Sequence, residues 1–379
     1  MKARSLKHLG FLFLLIGCAP VFGQTTKRAS GLTEAQRLNI TFEALSRLEG
    51  IDLGKNPQLK SAIEKLLTKT RGTAQFVQIV QQLKLKNQDA GLLEVAIRNP
   101  AKESGVEATR LILGNGNSSL LKEALRGSDA IKVTEALGNS GKKEAVPLLM
   151  EIVTDAKRDL PLRKQAVRSV AQLQDGAEQL LNLAKGETLS KDLKLITSAE
   201  LNNVRWEQIK IEAANILPLA QGRDAKPLPS TAELLKKKGN ARNGEKLFFS
   251  TETACSSCHQ IKGQGTEVGP ALSEIGDKLG KEALLESILE PSAGISFGYE
   301  AHQIELKSGD EAYGLIVSET DDELVMKDLK GIVARYKKSE ITRRQQMKTS
   351  IMPTGLAQTM SAQGLVDLVE FLSTLRKAN

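Results

Sequence analysis

Sulfur and imidazole are scarce in this chain. There are three cysteines, at positions 18, 255 and 258, and three histidines, at positions 8, 259 and 302. A secreted scaffold stapled by disulfides uses more cysteines at wider spacing, so that class is excluded. Aromatic residues make up 3% of the chain, with a single tryptophan, which argues against a base-stacking surface for nucleic acid. Long apolar runs are missing as well. Only LGFLFLLIG, residues 9–17, stands out, and it is too short to span a bilayer as a mature helix. The formal charge of +8 includes +3 from Lys2, Arg4 and Lys7, and the remaining +5 is a mild basic bias that suits docking to an acidic protein partner and does not demand nucleic acid.

The amino terminus reads as a secretory leader. Lys2, Arg4 and Lys7 form a basic start, the apolar run follows, and small residues with Pro20 lead to VFG-Q at 21–24. This order places cleavage after Gly23. The rival is LIGC at 15–18, which resembles a bacterial lipobox and would leave a lipid anchor on Cys18. Either route implies a periplasmic or otherwise exported protein with no transmembrane segment in its mature form.

The chain has two parts. Residues 24–220 carry apolar residues at three- and four-residue steps, as in EAVPLLMEIV (144–153), LRKQAVRSVAQL (162–173) and QIKIEAANILPL (208–219). TRLILGNGN at 109–117 is echoed by TEALGNSG at 134–141. The helix, polar gap, helix phrasing resembles HEAT-type repeats, which bury their apolar faces by stacking into an α-solenoid. Residues 221–240 carry Pro, Lys and polar residues without periodicity and read as a linker. Residues 241–379 form the second part, with a small antiparallel β insert at about 299–342 marked by alternating stretches and the turn signals SGD, TDD and LKG. The chain closes on a helix whose face is Leu365, Leu368, Val369, Leu372 and Leu375. The expected class is mainly α: a solenoid, then an all-α domain with a β insert.

Against the general scarcity, two cysteines and a histidine fall together in ACSSCHQ, residues 254–260. A thioredoxin-like redox pair needs a CxxC at a helix start in a βαβ context, which the flanks do not provide. A zinc site needs four ligands, and adjacent Cys258 and His259 rarely both reach one metal. A Cys255–Cys258 disulfide would close a tight, strained loop. Covalent haem c is the reading the string supports best. Two thiols at this spacing match the two vinyl groups of the porphyrin, and the adjacent imidazole of His259 is placed beneath the iron as the proximal ligand.

The surroundings resemble class I c-type cytochromes. GEKLF at 244–248 is similar to their first helix, where Gly244 and Phe248 would meet the last helix. GQGTEVGPAL at 263–272 resembles the loop after the haem motif, which implies that the carbonyl of Pro270 accepts the proton on the far nitrogen of His259. A longer signature resembles haem-binding domains of the Planctomycetes and Verrucomicrobia type. It comprises CxxCH at 255–259, GxxxGPxL at 265–272, LLESILEPSAGISFGYE at 284–300, GLI and SET within 314–320, SIMPTGL at 350–356 and DLVEFL at 367–372. Thr354 departs from that pattern, standing where relatives often carry an acidic residue.

The candidates for a distal iron ligand are Met150, Met326, Met347, Met352, Met360 and His302. Met352, followed by Pro353 in a loop before the last helix, stands where the resemblance places the ligand methionine. Met326 falls in a strand and reads as core. Tyr299 is a weaker candidate for haem contact, with Phe297, Arg343 and Arg344 beside it as neighbours of the haem or its propionates. The function these residues imply is single-electron transfer between protein partners by a carrier with one haem and no catalytic residues. The alternatives are a haem-based redox or gas sensor, and an electron-transfer subunit of a larger dehydrogenase complex. The exported chain is expected to begin at Gln24. An intact-mass measurement checks this, and a lipid-bearing terminus at Cys18 would contradict it.

Overall fold

The computed structural model describes residues 56–218, 228–250 and 253–377; the leader, Gly23 and Cys18 lie outside them. Sixteen α-helices and one five-stranded antiparallel sheet are found among the described residues. In the first part, α1 (Pro57–Thr70), α2 (Ala74–Gln82), α3 (Asp89–Arg98) and α4 (Glu103–Gly114) are followed by α5 (Ser118–Ala124), α6 (Ala130–Asn139), α7 (Ala145–Thr154) and α8 (Leu160–Val170). Then come α9 (Gln174–Lys185), α10 (Lys194–Leu201) and α11 (Glu207–Ile216). Neighbours pack in sequence: α3 on α4, α4 on α6, and α8 on both α6 and α7. One continuous apolar core runs through the unit from Leu59 to Ala213. The expected helices appear within a few residues of their places. Both echoed stretches end helices, at Gly114 and at Asn139.

The linker expected over 221–240 is corrected at its C-terminal end. There Ser230 and Glu233 form a capping box that starts α12 (Thr231–Leu235), and Leu234 is buried in the second core. An apolar residue with a satisfied helix start outweighs a lysine-rich composition. Lys236, Lys237 and Lys238 stay exposed.

The second core is assembled around α13 (Ala241–Phe248) and α16 (Ala362–Thr374), with α14 (Ile275–Lys278) and α15 (Lys281–Leu289) against α16. The first and last helices cross closely at Gly244, where a Cβ would lie 1.9 Å from the carbonyl oxygen of Asp367. Phe248 and Phe371 meet across the crossing with ring centroids 6.1 Å apart. Asp367, 4% exposed, accepts from the amide of Asn240 at 2.9 Å and from Nδ2 of Asn243 at 2.6 Å, so a buried carboxylate satisfies the start of α13.

The β insert comprises β1 (Ala301–Leu306), β2 (Glu311–Glu319), β3 (Glu323–Lys327), β4 (Val333–Lys337) and β5 (Ile341–Gln346) in the order β4-β3-β2-β1-β5. The sequence reading reached four of these strands. The fifth, ITRRQQ, has no apolar alternation because it is an edge strand with an exposed face, held by pairing to β1. The sheet's apolar face, with Ile304, Leu324, Met326, Ala334 and Tyr336, forms a third small core.

The sheet grips the helical unit. Arg110 of α4 donates to the Tyr336 hydroxyl at 2.9 Å and pairs with Glu107. Burial opposes the Arg110 charge, but the Tyr336 and Glu107 oxygens keep its pKa above the ordinary value. Arg205 pairs with Glu311 at 3.0 Å, beneath the rings of Trp206 and Tyr313. Lys142 reaches Asp310 at 2.6 Å. Burial alone would raise the Asp310 carboxyl, but bonds from Lys142, Ser308 and the Lys143 amide outweigh it and hold it below the usual carboxylate range. Its stabilisation is therefore full above about pH 4 and is lost as pH falls through the lowered value. Asp310→Asn is expected to cost about 2 kcal/mol at pH 7. Urea melts should show the gap to the parent protein narrowing at pH 3, and a gap of constant size would contradict this origin.

Candidate cofactor site around Cys255 to His259

The Cys-Cys-His segment follows α13 directly. The Thr253 hydroxyl, buried behind it, donates to the carbonyl of Leu247 at the end of that helix. Ala254 takes a left-handed conformation, φ 54°, and Cys255–Ser257 form a single 3-10 turn. The amides of Cys258 and His259 both bond to the Cys255 carbonyl, at 3.2 and 2.9 Å, so His259 is held one turn from Cys255. Both thiols are free and half-buried. Burial pushes the Cys255 thiol up, against a smaller opposing bond to Thr253, which keeps it a neutral thiol.

The following loop is strapped onto this turn. The amide of Thr266 bonds to the Ser256 carbonyl at 3.0 Å, and those of Val268 and Gly269 to the Cys258 carbonyl at 2.9 and 2.7 Å. These straps carry the chain to Pro270, whose carbonyl oxygen lies 2.8 Å from Nδ1 of His259. A carbonyl can only accept, so Nδ1 holds the proton and Nε2 keeps its lone pair free. Burial lowers the His259 pKa, against the smaller raising effect of that bond, and so favours the neutral ring. Gly269 makes the approach possible, because a Cβ there would sit 2.5 Å from Cε1 of the imidazole. The sequence reading placed Gly269 only within the loop after the haem motif, and its physical constraint is this contact with the ring.

The other candidates are placed as follows. Met352 is half-buried against the same core cluster that Cys255 and Leu272 flank, with its amide bonded to the Ser350 hydroxyl at 3.1 Å. The Ser350 amide in turn bonds to the Ser292 hydroxyl at 3.0 Å, tying the 291–299 stretch to the Met352 loop. Met360 is buried in the core, Met326 lies inside the sheet, and Met150 packs on the helical unit. Met347 continues from β5, its amide bonded to the Ala301 carbonyl at 2.8 Å. His302 is on β1, with Nδ1 3.1 Å from the Glu300 carbonyl.

Among the described residues no hydrogen bond joins Tyr299 to the Cys-Cys-His segment; its amide bonds to the Ser296 carbonyl at 3.0 Å. Phe297 is 97% exposed. Arg343 and Arg344 are committed to Glu305 and Glu319, at 3.1 and 2.9 Å, on the exposed face of the sheet. No cluster of three or more His, Cys, Asp and Glu suited to a metal ion occurs among the described residues.

Two reduced thiols beside one neutral imidazole with a free Nε2 fit a covalently held haem, because this donor set supplies two attachment points and one axial nitrogen. Residues 241–334 match the family model for cytochrome c. The match supports a class I-like cytochrome c domain and, with it, a haem-based electron-transfer protein that works with redox partner proteins. The matched stretch spans α13, the Cys-Cys-His segment, its loop and most of the β insert, and stops before Met352 and α16. No curated protein matches the chain. Among the described residues no helix is long and apolar enough to cross a membrane.

Gly269→Ala forces the imidazole or the loop to move. The ratio of haem absorbance to total exported protein is expected to fall severalfold, and an unchanged ratio would contradict the contact.

Proposed function

We infer that the chain is an exported c-type cytochrome with one haem, which passes single electrons between protein partners. In this reading Cys255 and Cys258 would hold the haem through thioether links, and His259 and Met352 would supply its two ligands from the protein. The observation that carries the reading is the 2.8 Å contact between Nδ1 of His259 and the Pro270 carbonyl, which leaves Nε2 unprotonated beside two free thiols. Bound haem supplies the one-electron iron couple.

The chain's own residues hold and shield that group. The Pro270 carbonyl fixes the ring's tautomer and raises its basicity, as outer-shell partners of ligating histidines do. The straps from Thr266, Val268 and Gly269 keep the loop on the turn and so hold the ring's orientation through Pro270. The loop of Met352, anchored by Ser350 and Ser292, belongs to the same structural unit and lies on the same apolar core as Cys255. A thioether in the sixth position favours reduced iron more than a second imidazole would.

The order of motifs from CxxCH to DLVEFL supports the Planctomycetes and Verrucomicrobia type. The sequential packing of α3, α4, α6, α7 and α8 supports HEAT-like repeats that present an extended face to a partner. The basic, then apolar, then small-residue order of residues 1–23 supports export.

Near-infrared magnetic circular dichroism of the oxidised protein tests the ligand pair. The parent protein is expected to show a methionine-to-iron charge-transfer band that Met352→Ala abolishes and that Met347→Ala and Met360→Ala retain. An unchanged spectrum in Met352→Ala would overturn the distal assignment.

A further inference from the structure

The helical unit and the loop behind His259 are joined by a continuous set of short contacts. Lys330 stands in the turn between β3 and β4, and its ammonium donates to Oδ1 of Asn139, at the end of α6, at 2.9 Å. Asn139 is 7% exposed and is fixed in turn by donating to the Pro100 carbonyl at 2.9 Å. The turn holds its shape. Oδ1 of Asp328 accepts the amides of Lys330 and Ile332 at 2.9 and 2.8 Å, and the Gly331 amide bonds to the Asp328 carbonyl at 3.0 Å.

Its far side presses on the strapped loop. A Cβ on Gly331 would lie 3.3 and 3.4 Å from the γ-carbons of Thr266 and Val268, and Lys327 donates to the Glu267 carbonyl at 2.8 Å. Thr266, Val268 and Gly269 are the residues bonded to Ser256 and Cys258, and Pro270 follows at once with its carbonyl on His259. An open cleft of about 600 Å³ between helices and sheet has Lys330 and Asn139 in its wall, so the bond lies where the two are not packed solid. The helical unit also touches the opposite loop, where Lys210 donates to the Thr354 hydroxyl at 3.2 Å, two residues from Met352.

We propose that Lys330 and Asn139 are positioning residues for His259: their bond fixes the β3–β4 turn, the turn fixes the loop, and the loop sets the imidazole. The helical unit is thereby part of the redox site's outer support, and a change in that unit alters the reduction equilibrium without touching the haem. Asn139 carries no charge, which separates positioning from simple electrostatics. Removing a lysine also removes a positive charge, and that effect fades as salt screens it, whereas a positional effect persists.

The inference rests on the haem reading of Cys255, Cys258 and His259. The test uses the full-length haem-loaded protein with Lys330→Ala, Asn139→Ala, the double variant and Lys330→Arg. Reduction midpoints are taken at low and high salt, with the hyperfine-shifted His259 imidazole proton resonances of the oxidised protein from NMR. Both single alanine variants are expected to change the equilibrium constant for reduction in the same direction by roughly threefold or more, at both salt levels. The double variant should match the larger single effect, as coupled neighbours do. The His259 imidazole resonances should move in all three alanine variants and be restored in Lys330→Arg.

An unshifted Asn139→Ala, or a double variant equal to the sum of the singles, overturns the proposal. If Asn139→Ala does not fold, Lys330→Met against Lys330→Arg at high salt carries the test, and unmoved His259 imidazole resonances in Lys330→Met overturn it. A parent chain without covalent haem would overturn the haem reading itself, and it is detected before any variant is compared.

Discussion

The hydrogen bond between Nδ1 of His259 and the Pro270 carbonyl, 2.8 Å long, is the contact on which the rest of the site depends. It decides which ring nitrogen is free, and it does so with a backbone group that cannot titrate. Everything that fixes Pro270 therefore fixes the chemistry. The amides of Thr266, Val268 and Gly269 hold the loop to the Cys255–Cys258 turn, and Gly269 leaves room for the ring where any Cβ would collide with it. Burial favours the neutral imidazole and the neutral Cys255 thiol together, so the segment presents uncharged groups.

Behind this segment stands the crossing of the first and last helices of the second unit. Gly244 lets the backbones of α13 and α16 approach, Phe248 and Phe371 fill the space beside them, and Asp367 satisfies the amide of Asn240. The Cys-Cys-His turn is launched from the end of α13, with Thr253 bonded to the Leu247 carbonyl, so its direction is inherited from the crossing. The sheet completes the support from the other side, resting on the 266–269 loop while Arg110, Lys142 and Arg205 tie it to the helical unit. The β insert is thus wedged between the two units.

Much of this was legible in the sequence. The helices at 145–154 and 160–170, the last helix and four strands follow from periodicity and turn residues. The Cys-Cys-His string carries its chemistry openly, and the resemblance to class I cytochromes pointed to Pro270. What stayed hidden was long-range. Asp310 and Lys142 bond across the two units, as do Lys330 and Asn139, and no local pattern links such residues. The edge strand β5 lacks apolar alternation because its outward face is exposed and its ladder comes from β1. Lys236 to Lys238 masked the capping box of α12, although Ser230 and Glu233 stand at the spacing that marks one. Arg343 and Arg344 looked available for an anionic ligand, but the sheet supplies them with Glu305 and Glu319.

The measurement that tests the central claim most directly is the intact mass of the denatured protein, produced with haem-attachment machinery, together with its reduced pyridine haemochrome spectrum. The account predicts one haem per chain that survives denaturation, with the spectrum of two thioether links, and loss of a link in either Cys255→Ala or Cys258→Ala. A chain that leaves the same machinery at its polypeptide mass, with no haem spectrum, would contradict it.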